Sequence, residues 1–450
     1  MNRIDRINGR QVGIIGMARS GVAAAELLVR HGAVVCATDL KPLAELPEAA
    51  PLIAGLGIEF RLQSPEVFEQ AGLIVVSPGV PAGLEPLEQA RRRGVPVIGE
   101  VELAGWFLQG KAIGVTGSNG KTTTTALLGH ILRQCGVPVQ VGGNIGAPAC
   151  GMVPGSRPEQ WDVLELSSFQ LETIRAFRAA IAVALNVTPD HLDRHHDFPT
   201  YVAAKARLFE TQVSGDFAVL NASDPVCRDF SCRTRARTVW FSLEGPLSPG
   251  LYLDQDQLCA EGQPFLEARE IPLRGRHNIE NTLAAAGAAR LAGASLEAIA
   301  AAVRTFPGVE HRLEFVTTLS GIDFYNDSKA TNVDAALKAL DAFPGGLWVI
   351  LGGQDKGAPY TPLRQLLREK ARAALLIGAA APLIAAQLGG AVPLIQCGVL
   401  EEAVRAAFQA ASPGDTVLLA PACASFDQFD DFEHRGRRFK ELVAELGRGR

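Results

Sequence analysis

Residues 114–122 read GVTGSNGKT, follow the apolar pair Ala112 and Ile113, and open a helical pattern from Thr123 to Gln134. That order leaves few folds open: a strand must feed a tight loop whose backbone N–H groups converge, with the positive end of a helix behind them. Gly114, Gly117 and Gly120 are read as the positions that let those N–H groups turn inward around phosphate oxygens. Lys121 supplies a point charge for the outer phosphates, and Thr122 a hydroxyl of the kind a phosphate loop turns onto Mg²⁺. The commonest form of this motif would need glycine at 115, where the chain has Val115. The first expectation is therefore ATP with magnesium, with the reaction left open.

The chain is long enough, at 450 residues, for about three domains of ordinary size. Its 43 Lys plus Arg against 48 Asp plus Glu leave a net charge of −5, which offers no overall field for nucleic acid or anionic lipid. Arg91, Arg92, Arg93 and the basic C-terminal helix read as solvated faces. None of the eight cysteines forms a C-x-x-C pair, so neither a zinc ribbon nor a disulfide scaffold is expected, and most should be small core residues. Residues 1–6 lack the apolar region of a signal peptide, so a cytoplasmic protein is expected. Residues 373–400 carry no charge and could on length cross a bilayer of about 30 Å. Pro382, Gln387, Gly389, Gly390 and Pro393 cut them into a strand–helix–strand rhythm instead, so no membrane insertion is expected.

Three α/β blocks follow from the alternation of apolar runs and helical patterns. In residues 1–104, a strand at 12–15, a glycine turn, a helix to Arg30 and a strand ending at Asp39 give a Rossmann-like layout, although Ala18 stands where the second fingerprint glycine would be. Residues 105–305 carry the phosphate loop in a P-loop ATPase-type parallel sheet. Two further strands there end at Glu165 and shortly before His191, and in an open parallel sheet such ends share one crevice with Lys121. His195 and His196 are read as surface residues. Residues 306–450 repeat the doubly wound pattern, with polar loops at 326–332, 352–356 and 422–427.

At this point the chain resembles the Mur ligases, ATP-dependent amide-forming enzymes of peptidoglycan precursor synthesis, over essentially its full length. The resemblance rests on residues 114–122, 165–172 (ELSSFQLE), 190–194 (DHLDR), 275–278 (GRHN), His311 with Arg312, and 327–332 (DSKATN). The displaced Gly114 is this family's own form of the loop. Residues 352–356 (GGQDK) and 422–429 (ACASFDQF) look most like the branch that joins D-glutamate to UDP-N-acetylmuramoyl-L-alanine. The resemblance implies that ATP activates the L-alanyl carboxylate as an acyl phosphate, which the D-glutamate amine then attacks.

It also implies roles. Gly117, Ser118, Asn119, Gly120, Lys121, Thr122 and Thr123 would hold ATP phosphates, with Asn278 and Asn281 on the adenine side, Arg312 on phosphate and Asp327 on ribose. Thr122 and Glu165 would share one Mg²⁺. His191 and a carbamylated Lys205 would serve a second. Arg19, Ser20, Asp39, Ser77, Gly79 and Asn144 would take the UDP-sugar, and Lys329, Thr331, Lys356, Ser425 and Phe432 the D-glutamate. A monomer is expected. A dehydrogenase built on the first block would leave the P-loop and the Glu165 and His191 set without work, and a P-loop switch would spend nucleotide turnover on conformational change instead of bond formation.

Overall fold

The computed structural model describes residues 7–63 and 68–448, the side chain of Asp193 excepted. The stretch on which the signal-peptide expectation rests, residues 1–6, lies outside the described residues. Among the described residues three sheets follow one another along the chain. The first is fully parallel, in the spatial order Glu59–Leu62, Val34–Asp39, Gln11–Ile15, Leu73–Val76, Val97–Gly99. Leu73–Val76 is buried along its whole length, as a parallel strand covered by helices on both faces must be.

The second sheet has nine strands, and Lys111–Thr116 lies in its interior between Ile181–Ala184 and Trp161–Glu165. Parallel pairing puts the ends of these three strands at one edge, so the loops that follow them are neighbours. The far side of the sheet turns antiparallel over Gly250–Asp254, Gln257–Ala260 and Gln263–Glu267. A short helix, Glu100–Ala104, ties the first sheet to the second. One Glu102 carboxylate oxygen accepts the backbone N–H groups of Arg175, Ala176 and Phe177 at 2.8 Å each, and the other accepts Trp106 Nε1–H at 3.0 Å.

Among the described residues the third sheet has six strands, parallel except between Glu314–Leu319 and Ile322–Asn326. The uncharged stretch 373–400 falls on Ala371–Ile377, Ala381–Leu388 and Leu394–Gly398, the expected strand–helix–strand. No helix among the described residues is long and apolar enough to cross a membrane. By packing, the chain forms two compact units. The first runs through Glu270 and resumes over Ile279–Phe306, and the second takes Ile271–Asn278 together with Pro307 onward. All eight cysteines are free thiols; four are buried and Cys232 is exposed.

Candidate functional site

In the first unit the phosphate loop joins Lys111–Thr116 to the helix Lys121–Gln134. Gly117 and Gly120 have φ of +155° and +86°, where a side chain would be strained. A Cβ on Gly120 would also lie 2.3 Å from Asn281 Oδ1, so loop and asparagine are fitted to each other. Gly114 does something different from what its place in the motif suggested. It sits within the strand, where a Cβ would come 2.9 Å from Leu208 and 3.1 Å from Leu166, so its missing side chain serves packing behind the loop.

Lys121 Nζ donates to the carbonyls of Gly117 and Ser118 at 2.9 Å each. The loop is fastened to the segment after Ile181–Ala184: Ser118 N–H donates to the Asn186 carbonyl at 2.8 Å and Asn119 N–H to Asn186 Oδ1 at 2.9 Å. Ser118 Oγ donates to the Thr188 carbonyl at 2.8 Å and therefore accepts from the Tyr201 hydroxyl at 2.9 Å.

Two buried charges stand beside this loop. Glu165, at the end of Trp161–Glu165, accepts Asn144 Nδ2–H on one oxygen at 2.9 Å, while its buried Oε2 has no hydrogen-bond partner among the described residues. Lys205 comes from the helix Phe198–Glu210 and is 1% exposed. Its Nζ donates to the Gly117 carbonyl at 2.8 Å and lies 4.6 Å from the Tyr201 ring centroid, with no carboxylate in ion-pair range among the described residues. Burial, then the nearby Lys121 charge, holds its ammonium pKa well below the ordinary lysine value. Thr122 and Thr123 are buried at the first turn behind the loop.

His191 is half exposed, has φ +52° and rests on Phe169 with ring centroids 4.8 Å apart. His195, expected at the surface, is instead buried. Its Nδ1 lies 3.0 Å from a Glu172 oxygen and its Nε2 2.9 Å from Ser168 Oγ, while its ring packs on Phe169 and Tyr201. These polar and aromatic partners replace water, which is what allows an imidazole inside. His196 is exposed, as expected.

The first unit also contains a cleft of about 640 Å³. Arg19, Ser20, Asp39, Ser77, Gly79 and Asn144 all line it. Asp39 accepts Met17 N–H at 2.7 Å and Lys41 N–H at 3.0 Å; Ser77 Oγ donates to the Gly16 carbonyl at 2.6 Å; Arg19 donates to the Gly146 carbonyl. Sequence reasoning missed Arg194. It donates to the carbonyls of Val80 at 2.7 Å and Gly79 at 3.2 Å and pairs with Glu172 at 3.3 Å, steadying the cleft's rim from the DHLDR motif.

Asn278 and Asn281 share the helix Arg276–Leu291 and are both buried, but the partition of the chain puts Asn278 in the second unit and Asn281 in the first. Within the second unit, Asp327 is buried, accepts Leu313 N–H at 3.3 Å, and has its carboxyl pushed up to about 6 by desolvation, which the nearby Arg312 charge opposes. Lys329 Nζ lies 5.4 Å from the Phe432 ring centroid, and Lys356 Nζ donates to Thr331 Oγ1 at 3.4 Å. Ser425 is buried in the loop before the C-terminal helix Phe432–Arg448.

That helix is not wholly a solvated basic face: Arg435 is 1% exposed. Its guanidinium donates to Ser328 Oγ at 3.0 Å, the Ser328 carbonyl at 2.9 Å, and the carbonyls of Cys423 and Ala424 at 3.2–3.3 Å. It thereby joins the loop bearing Lys329 and Thr331 to the loop bearing Ser425. Desolvation moves it down to about 10.

No group of three or more His, Cys, Asp or Glu side chains among the described residues could hold a metal ion alone. The Thr122 hydroxyl and the uncommitted Glu165 oxygen suit Mg²⁺, which prefers one or two carboxylates completed by water and nucleotide phosphates.

Comparison with known proteins adds three family matches. Residues 10–99 match the Mur ligase MurD-like N-terminal domain, 115–289 the Mur ligase middle domain, and 311–423 the Mur ligase glutamate ligase domain. The chain is 65% identical over 438 residues to the UDP-N-acetylmuramoylalanine–D-glutamate ligase of Solibacter usitatus, covering 97% of this chain and 98% of that one. It is 51% identical to the ligase of the same name from Acidobacterium capsulatum, covering 97% and 96%. Among solved structures, the UDP-N-acetylmuramate-alanine ligase of Thermotoga maritima superposes with a TM-score of 0.62 at 19% identity, covering 97% of this chain and 100% of that one, a likeness of fold.

Proposed function

The chain belongs to the Mur ligase family, among the UDP-N-acetylmuramoylalanine–D-glutamate ligases, and from that premise we propose that it joins D-glutamate to UDP-N-acetylmuramoyl-L-alanine at the expense of ATP. The observation that carries the reading is the Asn144–Glu165 hydrogen bond. Asn144 lines the cleft and Glu165 stands beside the phosphate loop, so a carboxylate presented from the cleft meets a transferable phosphoryl group at that junction.

A carboxylate is a poor acyl donor until one oxygen becomes a phosphate leaving group. Its oxygen attacks the γ-phosphorus of ATP, ADP departs, and the amine of D-glutamate then attacks the acyl carbon and expels phosphate. Residues 117–123 cradle the phosphates, and Lys121 offsets the negative charge that spreads during transfer. Mg²⁺, when bound, would draw charge from the phosphate oxygens, held by Thr122 and Glu165 at one position and by His191 and Lys205 at another. Burial of Lys205 beside carbonyls supports the last assignment: as a neutral amine it adds to CO₂, loses a proton and becomes an anionic carbamate.

The remaining roles are assigned the same way. Arg19, Ser20, Asp39, Ser77 and Gly79 hold the UDP-sugar with Asn144. Asn278, Asn281, Arg312 and Asp327 hold the nucleoside and phosphates of ATP, and Lys329, Thr331, Lys356, Ser425 and Phe432 take D-glutamate. We place domain boundaries at 104/105 and 305/306, which the spans of the three family matches support. The proposal takes the enzyme to act as a monomer, and the precursor chemistry supports work in the cytoplasm. The test is ADP release by the purified protein. It should require D-glutamate and UDP-N-acetylmuramoyl-L-alanine together; release indifferent to either would overturn the proposal.

A further inference from the structure

Residues 352–360 (GGQDKGAPY) connect the strand Leu347–Gly352 to the next helical turn, and Lys356 stands exposed near their middle. A lysine on an exposed loop should sweep a wide volume, which would make it a poor reader of a carboxylate. Here the loop is fastened on both sides of that lysine. Before it, Gln354 and Ala424 exchange backbone hydrogen bonds at 2.9 and 3.1 Å. Gly353 permits this approach, since a Cβ there would lie 2.2 Å from the Ala424 carbonyl oxygen.

After it, Tyr360 turns inward and is 1% exposed. Its hydroxyl donates to Asp355 Oδ1 at 2.7 Å, its backbone N–H donates to Gln387 Oε1 at 2.6 Å, and Cys423 Sγ lies 3.0 Å from the hydroxyl oxygen. A phenol has one proton to give. With that proton on Asp355, the Cys423 thiol must be the donor to the Tyr360 oxygen. The Tyr360 hydroxyl bond holds the Asp355 carboxyl below its ordinary value, and burial holds the Cys423 thiol above its own, with the Tyr360 contact opposing. Asp355 Oδ2 also accepts Gly357 N–H at 3.1 Å, closing a turn around Lys356.

We propose that Tyr360, acting through Asp355 and Cys423, is a positioning residue that fixes the distance between Lys356 and Ser425 and so sets the enzyme's selectivity for the length of its amino-acid substrate. The inference rests on the D-glutamate reading of those two residues. Cys423 precedes Ser425 by two positions and Asp355 directly precedes Lys356, so one hydroxyl touches both loops. A dicarboxylate bound at its two ends is sensitive to the spacing of the groups that receive them, whereas ATP and the UDP-sugar are not held here.

The test measures KM separately for D-glutamate, ATP and the UDP-sugar in wild type, Tyr360→Phe, Asp355→Asn and the double variant. Tyr360→Phe keeps the ring in the core, and Asp355 lies at the surface, so the second variant folds even where the first is impaired. Each single change should raise KM for D-glutamate roughly tenfold, the loss of about one hydrogen bond. The double variant should add little, and turnover with D-aspartate relative to D-glutamate should rise. A D-glutamate KM within twofold of wild type in both single variants overturns the proposal. So does a parallel rise of all three KM values with a lowered Tm, the mark of a merely structural role. Wild-type turnover independent of D-glutamate would instead overturn the substrate reading, and this proposal with it.

Discussion

Glu100 gives a sharp test of the packing between the first two sheets. Its side chain is fully buried on Glu100–Ala104, where one carboxylate oxygen accepts Cys150 N–H and Oε2 has no partner among the described residues. Desolvation raises its pKa from 4.5 to about 7, with the bond from Cys150 opposing. The folded protein thus keeps a proton that the unfolded chain releases, so this contribution to stability is fully present below pH 4.5 and is lost as pH rises to about 7. A shift of that size corresponds to roughly 3 kcal/mol at 1.36 kcal/mol per unit. Glu100→Gln removes the titration and keeps the acceptor for Cys150. Urea unfolding of both proteins from pH 4.5 to 8 should show the wild type losing about 3 kcal/mol relative to the variant across that window. Other groups titrating there, Asp327 among them, cancel in the difference. A wild-type-minus-variant difference that stays flat with pH would refute the reasoning.

Lys121→Ala should lower ligation by roughly 10²–10³ while circular dichroism stays unchanged, since it removes one electrostatic contact with the transferring group; near-normal turnover at saturating ATP and magnesium would contradict it. Lys205→Ala should be inactive and partly rescued by short carboxylic acids, and an unmodified Nζ in a magnesium-bound crystal would count against the carbamate. Arg435→Met should destabilise the second unit, at about 1–3 kcal/mol for each buried carbonyl left without a donor, and should raise KM for D-glutamate; an unchanged Tm would show that the guanidinium does not join the two loops.

Much of the site could be read in the chain because a phosphate loop is a local object: its glycines, lysine and threonine are contiguous, and the strand and helix on either side declare themselves by period. For the cleft, the strand-end pattern alone offered only the glycine turn and Asp39 as a place for a nucleotide-like ligand, and the other residues came from the family resemblance. Non-local partners were not legible. Nothing near His195 announces Glu172, which lies on another loop and makes burial possible. Glu59–Leu62 went unread because a short exposed edge strand has little apolar pattern. Arg435 did leave a signal, since Phe432, Gly436, Phe439, Leu442 and Val443 share its helical face, and a charge in such a stripe points inward. Reading the helix by charge alone hid it.

The buried charges suggest how function separates from architecture inside one fold. Glu102 and Glu165 are equally hidden, yet every Glu102 oxygen is spoken for by backbone or indole N–H groups, while Glu165 keeps one oxygen uncommitted. Arg435 and Lys205 form a similar pair, both buried basic side chains held by carbonyls. Arg435 spreads its donors over two loops, whereas Lys205 leans chiefly on Gly117, a residue of the phosphate loop itself. An orphaned oxygen is not sufficient by itself, because Glu100 has one and no phosphate cradle beside it. Protonation near pH 7 relieves Glu100, since a carboxylic acid is far cheaper to bury than a carboxylate. Glu165 stands instead where the phosphate loop, Asn144 and the cleft meet, so a ligand that brings a cation there supplies the missing partner. An unsatisfied charge therefore points to chemistry only where neighbouring geometry can deliver its counterpart, and among these carboxylates Glu165 meets that condition.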